Sequence, residues 1–227
     1  MNIPAWPVVL SIIFLWWTQR APRFDWAPKA PEVYPKCPKD TTSQTLLFGG
    51  TSMLGRYIVD TWTSGDKGNC LINYGRKVCP KCDISIQGDV RDAAHIKRVF
   101  EHYNIDTVVT SIKPALEGTH WREFMEINVA ATIEITKLAK AAGVQNFIHV
   151  SSIAASSHYK PAFMEDENSP QPLYTEYEAA YDLSKRLGED FVLGSHEEGK
   201  FNTIALRVSG IIGGEGDPFF HHRMFPI

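Results

Sequence analysis

Six short apolar runs, separated mostly by segments of helical periodicity, limit this 227-residue chain more than any single motif does. The runs are Gln44–Gly49, Asn69–Tyr74, Ile84–Gln87, Asp106–Ser111, Asn146–Ser152 and Asn202–Val208. Between them, Leu54, Ile58 and Trp62 recur every four residues and share one helix face, and Ile96, Val99, Phe100 and Tyr103 mark a second helix. Phe124, Ile127, Ala131, Ile135, Leu138 and Ala142 form a long stripe stopped at Gly143, and Tyr177 to about Leu193 reads as a further helix. Apolar strands alternating with helices predict an α/β fold, a parallel sheet covered on both faces. Right-handed crossovers then give a doubly wound sheet of strand order 3-2-1-4-5-6, with ligands at the carboxyl ends of the strands.

The end of the first strand has the chemistry that this position calls for. Thr45-Leu-Leu-Phe-Gly-Gly-Thr-Ser-Met-Leu-Gly55 runs an apolar strand into a glycine-rich turn and then a helix. Gly49 permits the tight turn and lets a pyrophosphate approach the backbone. Gly55 lets the helix pack closely on its strand, and the helix N-terminus attracts the anion. Ser52 stands where the middle glycine of G-x-x-G-x-x-G falls, so weakened rather than abolished pyrophosphate binding is expected.

With 44% hydrophobic residues the chain can bury one substantial core, and a net charge of −3 gives no basic field for nucleic acid. The expected organisation is a membrane anchor over residues 1–20, a linker over 21–43 and one domain over 44–227. Ile3–Trp17 is almost wholly apolar but, at fifteen residues, shorter than the ~20 that span a bilayer comfortably. No basic residue precedes it and no small-x-small cleavage site follows cleanly, so a short anchor is favoured over a signal peptide. Arg20, Arg23 and Lys29 follow it, which would leave the bulk of the chain cytoplasmic. Ala21–Ser43 holds five prolines and no periodicity. The four cysteines are too few for a disulfide scaffold. Cys79-Pro-Lys-Cys82 lacks a second metal-binding pair and is expected in a solvated loop, and His221 and His222 are expected to be solvated; no metal site is predicted.

Three further places carry chemistry. The second strand exits through Leu71-Ile-Asn-Tyr-Gly-Arg-Lys77, with two cations and no carboxylate, which favours a 2′-phosphate and hence NADP, Arg76 being the contact. Asp89, after the third strand, either accepts a hydrogen bond from an adenine amine or caps the helix that begins near Asp92. Tyr181 and Lys185 lie four apart on a helix, with Cβ atoms ~6 Å apart. A nearby ammonium is expected to lower the tyrosine's pKa from ~10, as proton transfer at neutral pH requires. Ser151 and Ser152, at the carboxyl end of the fifth strand, could orient a substrate carbonyl.

In this order the elements resemble an extended short-chain dehydrogenase/reductase, and within it the 3β-hydroxysteroid dehydrogenase/sterol dehydrogenase group. The resemblance rests on Gly49–Gly55, Gly88-Asp-Val-Arg-Asp92, Asn128-Val-Ala-Ala-Thr132, Phe147-Ile-His-Val-Ser-Ser152, Tyr181–Lys185 with Glu189 behind it, and Ala205-Leu-Arg-Val-Ser-Gly-Ile-Ile-Gly213. It implies a Rossmann domain with Tyr181 as proton donor and acceptor, and Lys185 also on the nicotinamide ribose. Ser152, less so Ser151, would hold the carbonyl, and Asn128 would support the helix carrying a proton relay. The implied cofactor-binding set is Gly49, Gly50, Ser52, Met53, Leu54, Gly55, Arg76, Asp89, Val90 and Lys185, for NADP or NAD. The implied substrate is a hydrophobic alcohol such as a steroid or sterol, with the membrane, at the endoplasmic reticulum, and a homodimer as further partners. The alternatives are a nucleotide-sugar epimerase or dehydratase, which shares the fold and the Tyr/Lys pair, and a catalytically silent cofactor-binding protein. Val208 departs from the family's proline after the sixth-strand arginine. The family continues beyond that strand to complete the sheet and the substrate pocket. Gly213–Ile227 is too short for that, so a fragment, an isoform or a chain without its substrate half is expected.

Overall fold

Leu46, Leu47 and Phe48 are fully buried in the first strand, β1 (Ser43–Phe48), and they point alternately to the two sides of the sheet. In the computed structural model, which describes residues 33–65, 68–114, 120–157 and 166–211, β1 is followed by α1 (Met53–Gly65), β2 (Asn69–Gly75), β3 (Ile84–Gln87), α2 (Ala93–His102) and β4 (Thr107–Thr110). A continuous helix follows as α3 (Trp121–Phe124), a π-helical stretch Met125–Ala131 and α4 (Thr132–Ala141). β5 (Asn146–Ser152), α5 (Ala180–Gly194) and β6 (Asn202–Val208) complete it. The proposed anchor, most of the linker, and the tail with His221 and His222 lie outside the described residues.

All strands pair in parallel in the order β3-β2-β1-β4-β5-β6, as the crossover rule predicts. One side of the sheet packs Leu46, Phe48, Ile72, Val108 and Phe147 against Ile96 and Val99 of α2, Ile135 and Ala139 of α4, and Val192 of α5. The other side packs Leu47, Leu71 and Val109 against Val59 of α1, with Ile58 and Trp62 at the rim. The expected cover on both faces fails at the edge strand: Ile204 and Leu206 of β6 are 53% and 47% exposed, with no element over them among the described residues.

Three sequence expectations change. Asp92, not Asp89, caps α2, its carboxylate accepting the His95 amide at 2.9 Å. The linker ends earlier than Ser43. Tyr34 stacks on His102 with ring centroids 4.9 Å apart, Tyr103 donates to the Pro35 carbonyl at 2.7 Å, and Cys37 is disulfide-bonded to Cys70. Closing that 33-residue separation is worth ~3.5–4 kcal/mol in the chain-entropy account. Finally, Cys79 and Cys82 are not in a solvated loop. They are disulfide-bonded, and Cys79 is buried among Leu47, Val59, Leu71 and Val109 beneath α1, in a β2–β3 connection that has no helix.

Candidate active site

The phosphate turn closes on groups that leave no room for side chains. Gly49 has φ +91°, and a Cβ there would lie 2.5 Å from the Ser111 carbonyl oxygen. A Cβ on Gly55 would run into the Gly49 carbonyl oxygen, so α1 packs on its own entry turn as closely as the backbone allows. Ser52 explains its own presence: its hydroxyl accepts the Gly55 amide at 3.0 Å and its carbonyl accepts Arg56 N–H at 3.0 Å, which makes it the cap of α1. The first-turn amides of Met53 and Leu54 have no acceptor among the described residues. They point the positive end of the helix dipole at the crevice, a cradle that fits a pyrophosphate.

On the adenosine side, Arg76 is exposed just past β2 and its charge reaches Asp89. Asp89 is buried, and Arg91 holds it through its amide (2.9 Å), Nε (2.9 Å) and Nη2 (2.8 Å). Burial works to raise this carboxyl, but the Arg91 hydrogen bonds and charge outweigh it and leave it below the ordinary range. Arg91 also donates to Glu126 at 3.2 Å, tying the turn after β3 to the π-helical stretch. Val90 is half-buried against the core.

The catalytic candidates meet across the crevice. Tyr181 packs edge-on to Phe124, with centroids 5.7 Å apart, and its phenol lies within the electrostatic reach of the Ser152 hydroxyl. Lys185, 3% exposed, donates to the Val150 carbonyl at 3.1 Å and the Ile112 carbonyl at 3.5 Å. Burial, helped by the Lys113 charge and opposed by Glu189, lowers it to about 8. The Tyr181 phenol is pushed up, not down. Burial is the main cause, the nearby Ser152 hydroxyl opposes it, and Asp182 adds to it. The expected lowering by Lys185 does not occur in this arrangement, because the ammonium is turned to the two backbone carbonyls.

The two serines separate cleanly. Ser151 donates to buried Glu189 at 2.5 Å, whereas the Ser152 hydroxyl accepts the Ala154 amide at 3.2 Å and faces Tyr181. The opposite oxygen of Glu189 takes Arg207 Nε (2.9 Å) and Nη2 (2.6 Å), so α5 is bolted to both β5 and β6. Ser151, the lesser candidate for holding the carbonyl, is thus engaged by Glu189, and the Ser151–Glu189–Arg207 cluster was not expected as a unit; a glutamate four residues after Lys185, on the same buried face, was the available signal. Asn128 lies in the π-helical stretch and donates to Ser184 Oγ at 2.9 Å, and its Oδ1 has no partner among the described residues. Gly188 packs on its carbonyl too closely for any side chain.

Residues 111–112 join the two halves. Ser111 backs the glycine turn and the Ile112 carbonyl receives Lys185, at the end of β4 where the strand order reverses. That switch point is where doubly wound sheets bind their ligands. An anion cradle on one side of it and a Tyr–Lys–Ser cluster on the other give the domain the arrangement of the extended short-chain dehydrogenase/reductase class. More specifically, the chain belongs to the NAD dependent epimerase/dehydratase family, whose family model matches residues 45–227. It is 25% identical over 193 residues to the 3 beta-hydroxysteroid dehydrogenase/Delta 5-->4-isomerase of Mycobacterium tuberculosis, covering 80% of this chain and 50% of the relative. The dTDP-D-glucose 4,6-dehydratase of Mus musculus is 32% identical over 131 residues, 56% of this chain and 36% of the relative. The Bordetella bronchiseptica enzyme WbmG, solved in complex with NAD, superposes with a TM-score of 0.63 at 23% identity over 75% of this chain and 54% of that one, which shows the shared fold. The chain spans about half the length of the first of these relatives.

Proposed function

We propose that this chain binds NAD or NADP across the β1/β4 crevice and interconverts a hydroxyl and a ketone on a hydrophobic alcohol, a 3β-hydroxysteroid or sterol. The observation that carries the reading is the meeting of Tyr181, Ser152 and Lys185 one short segment away from the glycine turn. The nicotinamide, when bound, supplies the site that gives or accepts a hydride. Ser152 and Tyr181 flank the substrate oxygen, the serine orienting it and the phenol exchanging its proton. Burial keeps Tyr181 protonated at neutral pH, the form that donates to a ketone. Lys185, held by the Val150 and Ile112 carbonyls, presents a cation to the nicotinamide ribose. Met53 and Leu54 amides hold the pyrophosphate, and exposed Arg76, with no carboxylate at the end of β2, supports acceptance of a 2′-phosphate.

The steroid assignment is supported by the mycobacterial relative. A second reading, a nucleotide-sugar epimerase or dehydratase, is favoured by the higher identity to the mouse dehydratase, though over a shorter stretch. Anchoring through residues 1–20 stays part of the proposal. The two disulfides favour an oxidising compartment over the cytoplasmic side. Tyr181→Phe is expected to cut turnover of a 3β-hydroxysteroid by about 10²-fold or more while leaving cofactor affinity intact. Normal turnover by that variant would sink the mechanism. Dinucleotide retained through purification without net redox turnover would favour the second reading, and no turnover with any substrate would favour a silent binder.

A further inference from the structure

Asn73 is a polar residue in an otherwise apolar stretch of β2, flanked by Ile72 and Tyr74, and it is fully buried. Its carboxamide is used at both ends. Oδ1 accepts the Gly50 amide of the phosphate turn at 2.9 Å, and Nδ2 donates to Ser85 Oγ on β3 at 3.4 Å. The same Ser85 oxygen accepts the Cys79 amide at 2.8 Å. Cys79 is disulfide-bonded to Cys82, three residues on, and this short bridge takes the place of a helix between β2 and β3. A continuous run of contacts therefore joins the bridge to Gly50. Nothing in it is slack at the turn, since a Cβ on Gly50 would lie 2.6 Å from Asn73 Oδ1. The bridge also packs under α1, the helix whose first amides face the crevice.

We propose that Cys79–Cys82 is a thiol-exchange site, a reducible bridge whose opening loosens the phosphate turn through Ser85 and Asn73. Its consequence for cofactor binding rests on the dinucleotide reading above; its consequence for the turn does not. The two sulfurs are unequal in the way exchange requires. Cys79 is 5% exposed, whereas Cys82 is half-buried beside the exposed Lys81. A thiolate of a dithiol reductant attacks Cys82 Sγ, the Cys79–Cys82 bond breaks, and Cys79 leaves as a thiolate and takes a proton. The second thiol of the reductant then displaces Cys82, which also takes a proton. The bridge has gained two electrons and two protons, and the reductant has become a disulfide. The released Cys79–Cys82 segment no longer fixes the Cys79 amide on Ser85, so the hold of Ser85 on Asn73, and of Asn73 on Gly50, relaxes.

The purified chain is equilibrated with stepped concentrations of dithiothreitol, trapped by alkylation, and mapped peptide by peptide. Amide exchange at Gly50 and dinucleotide affinity are measured on the same samples. Cys79 and Cys82 are expected to alkylate at reductant levels that leave Cys37–Cys70 closed, with Gly50 exchange rising about threefold or more. Ser85→Ala, with the bridge intact, is expected to raise Gly50 exchange in the same way, and dinucleotide affinity to fall in step in both. Unchanged Gly50 exchange in protein alkylated at Cys79 and Cys82 overturns the proposal. So does a bridge that opens only when the whole domain unfolds. If the oxidised chain binds no dinucleotide, the functional reading alone is overturned, because the exchange result stands without it.

Discussion

Replacing Lys185 with methionine is expected to stabilise the protein at pH 7 while removing a group its chemistry needs. Lysine ordinarily titrates at 10.5, and here burial lowers it to about 8. The folded protein thus holds this proton less tightly than the unfolded chain does. The penalty is complete below pH 8 and fades as the pH climbs toward 10.5. At about 1.4 kcal/mol per tenfold change in proton affinity, it is roughly 3 kcal/mol at pH 7 and about 1 kcal/mol at pH 9.5. Methionine has nearly the same length and no charge, but it leaves the Val150 carbonyl without its 3.1 Å donor, a loss of about 1–1.5 kcal/mol. Denaturant titration of Lys185→Met should therefore show a gain of about 1–2 kcal/mol at pH 7 that closes to about zero near pH 9.5. A loss of stability at pH 7, or a difference that does not change with pH, would mean that Lys185 is not held as a penalised charge. The reasoning about its neighbours would then fail.

Two other substitutions probe the site's supports. Ser52→Gly removes a helix cap at a cost of only a few tenths of a kcal/mol and restores the missing glycine of the turn. Dinucleotide affinity should tighten severalfold with little change in melting temperature, and unaltered affinity would count against the reading of Ser52. Glu189→Ala leaves the Arg207 guanidinium and the Ser151 hydroxyl without their acceptor and should cost about 3 kcal/mol in denaturant unfolding. A loss below about 1 kcal/mol would show that α5 is not tied to β5 and β6 through this carboxylate.

Much of this was legible in the sequence, and the misses share a cause. Ile84–Gln87, Asn146–Ser152 and Asn202–Val208 are strands with the bounds their apolar runs indicated, and the crossover rule ordered all six. Period and handedness are local properties, so they can be read without the fold. The π-helical stretch could not be read that way. The stripe through Phe124, Ala131 and Ile135 is buried as expected, but Ile127 is only half-buried and Ala142 is exposed. A helix that bonds i to i+5 shifts the buried face onto Asn128, Thr132 and Thr136. Four cysteines allow three pairings and none is chosen by spacing alone; Cys37–Cys70 depends on a tertiary contact made by the supposed linker. The Tyr181–Lys185 spacing puts both on one face of α5. It could not say that Lys185 turns toward Val150 and Ile112, and so burial, not the ammonium, sets the direction in which Tyr181 is shifted.

The proposed function depends on a dinucleotide occupying the crevice between the glycine turn and Lys185. Calorimetric titration of NAD and NADP into the folded chain, beside Gly49→Ala and Arg76→Ala, decides that. The expected result is saturable binding at about one dinucleotide per chain. Gly49→Ala should lose it, because a Cβ there meets Ser111 at a positive φ, and Arg76→Ala should weaken NADP more than NAD. A folded chain that binds neither dinucleotide at millimolar concentration, or binds both equally well with Gly49→Ala, would contradict the account.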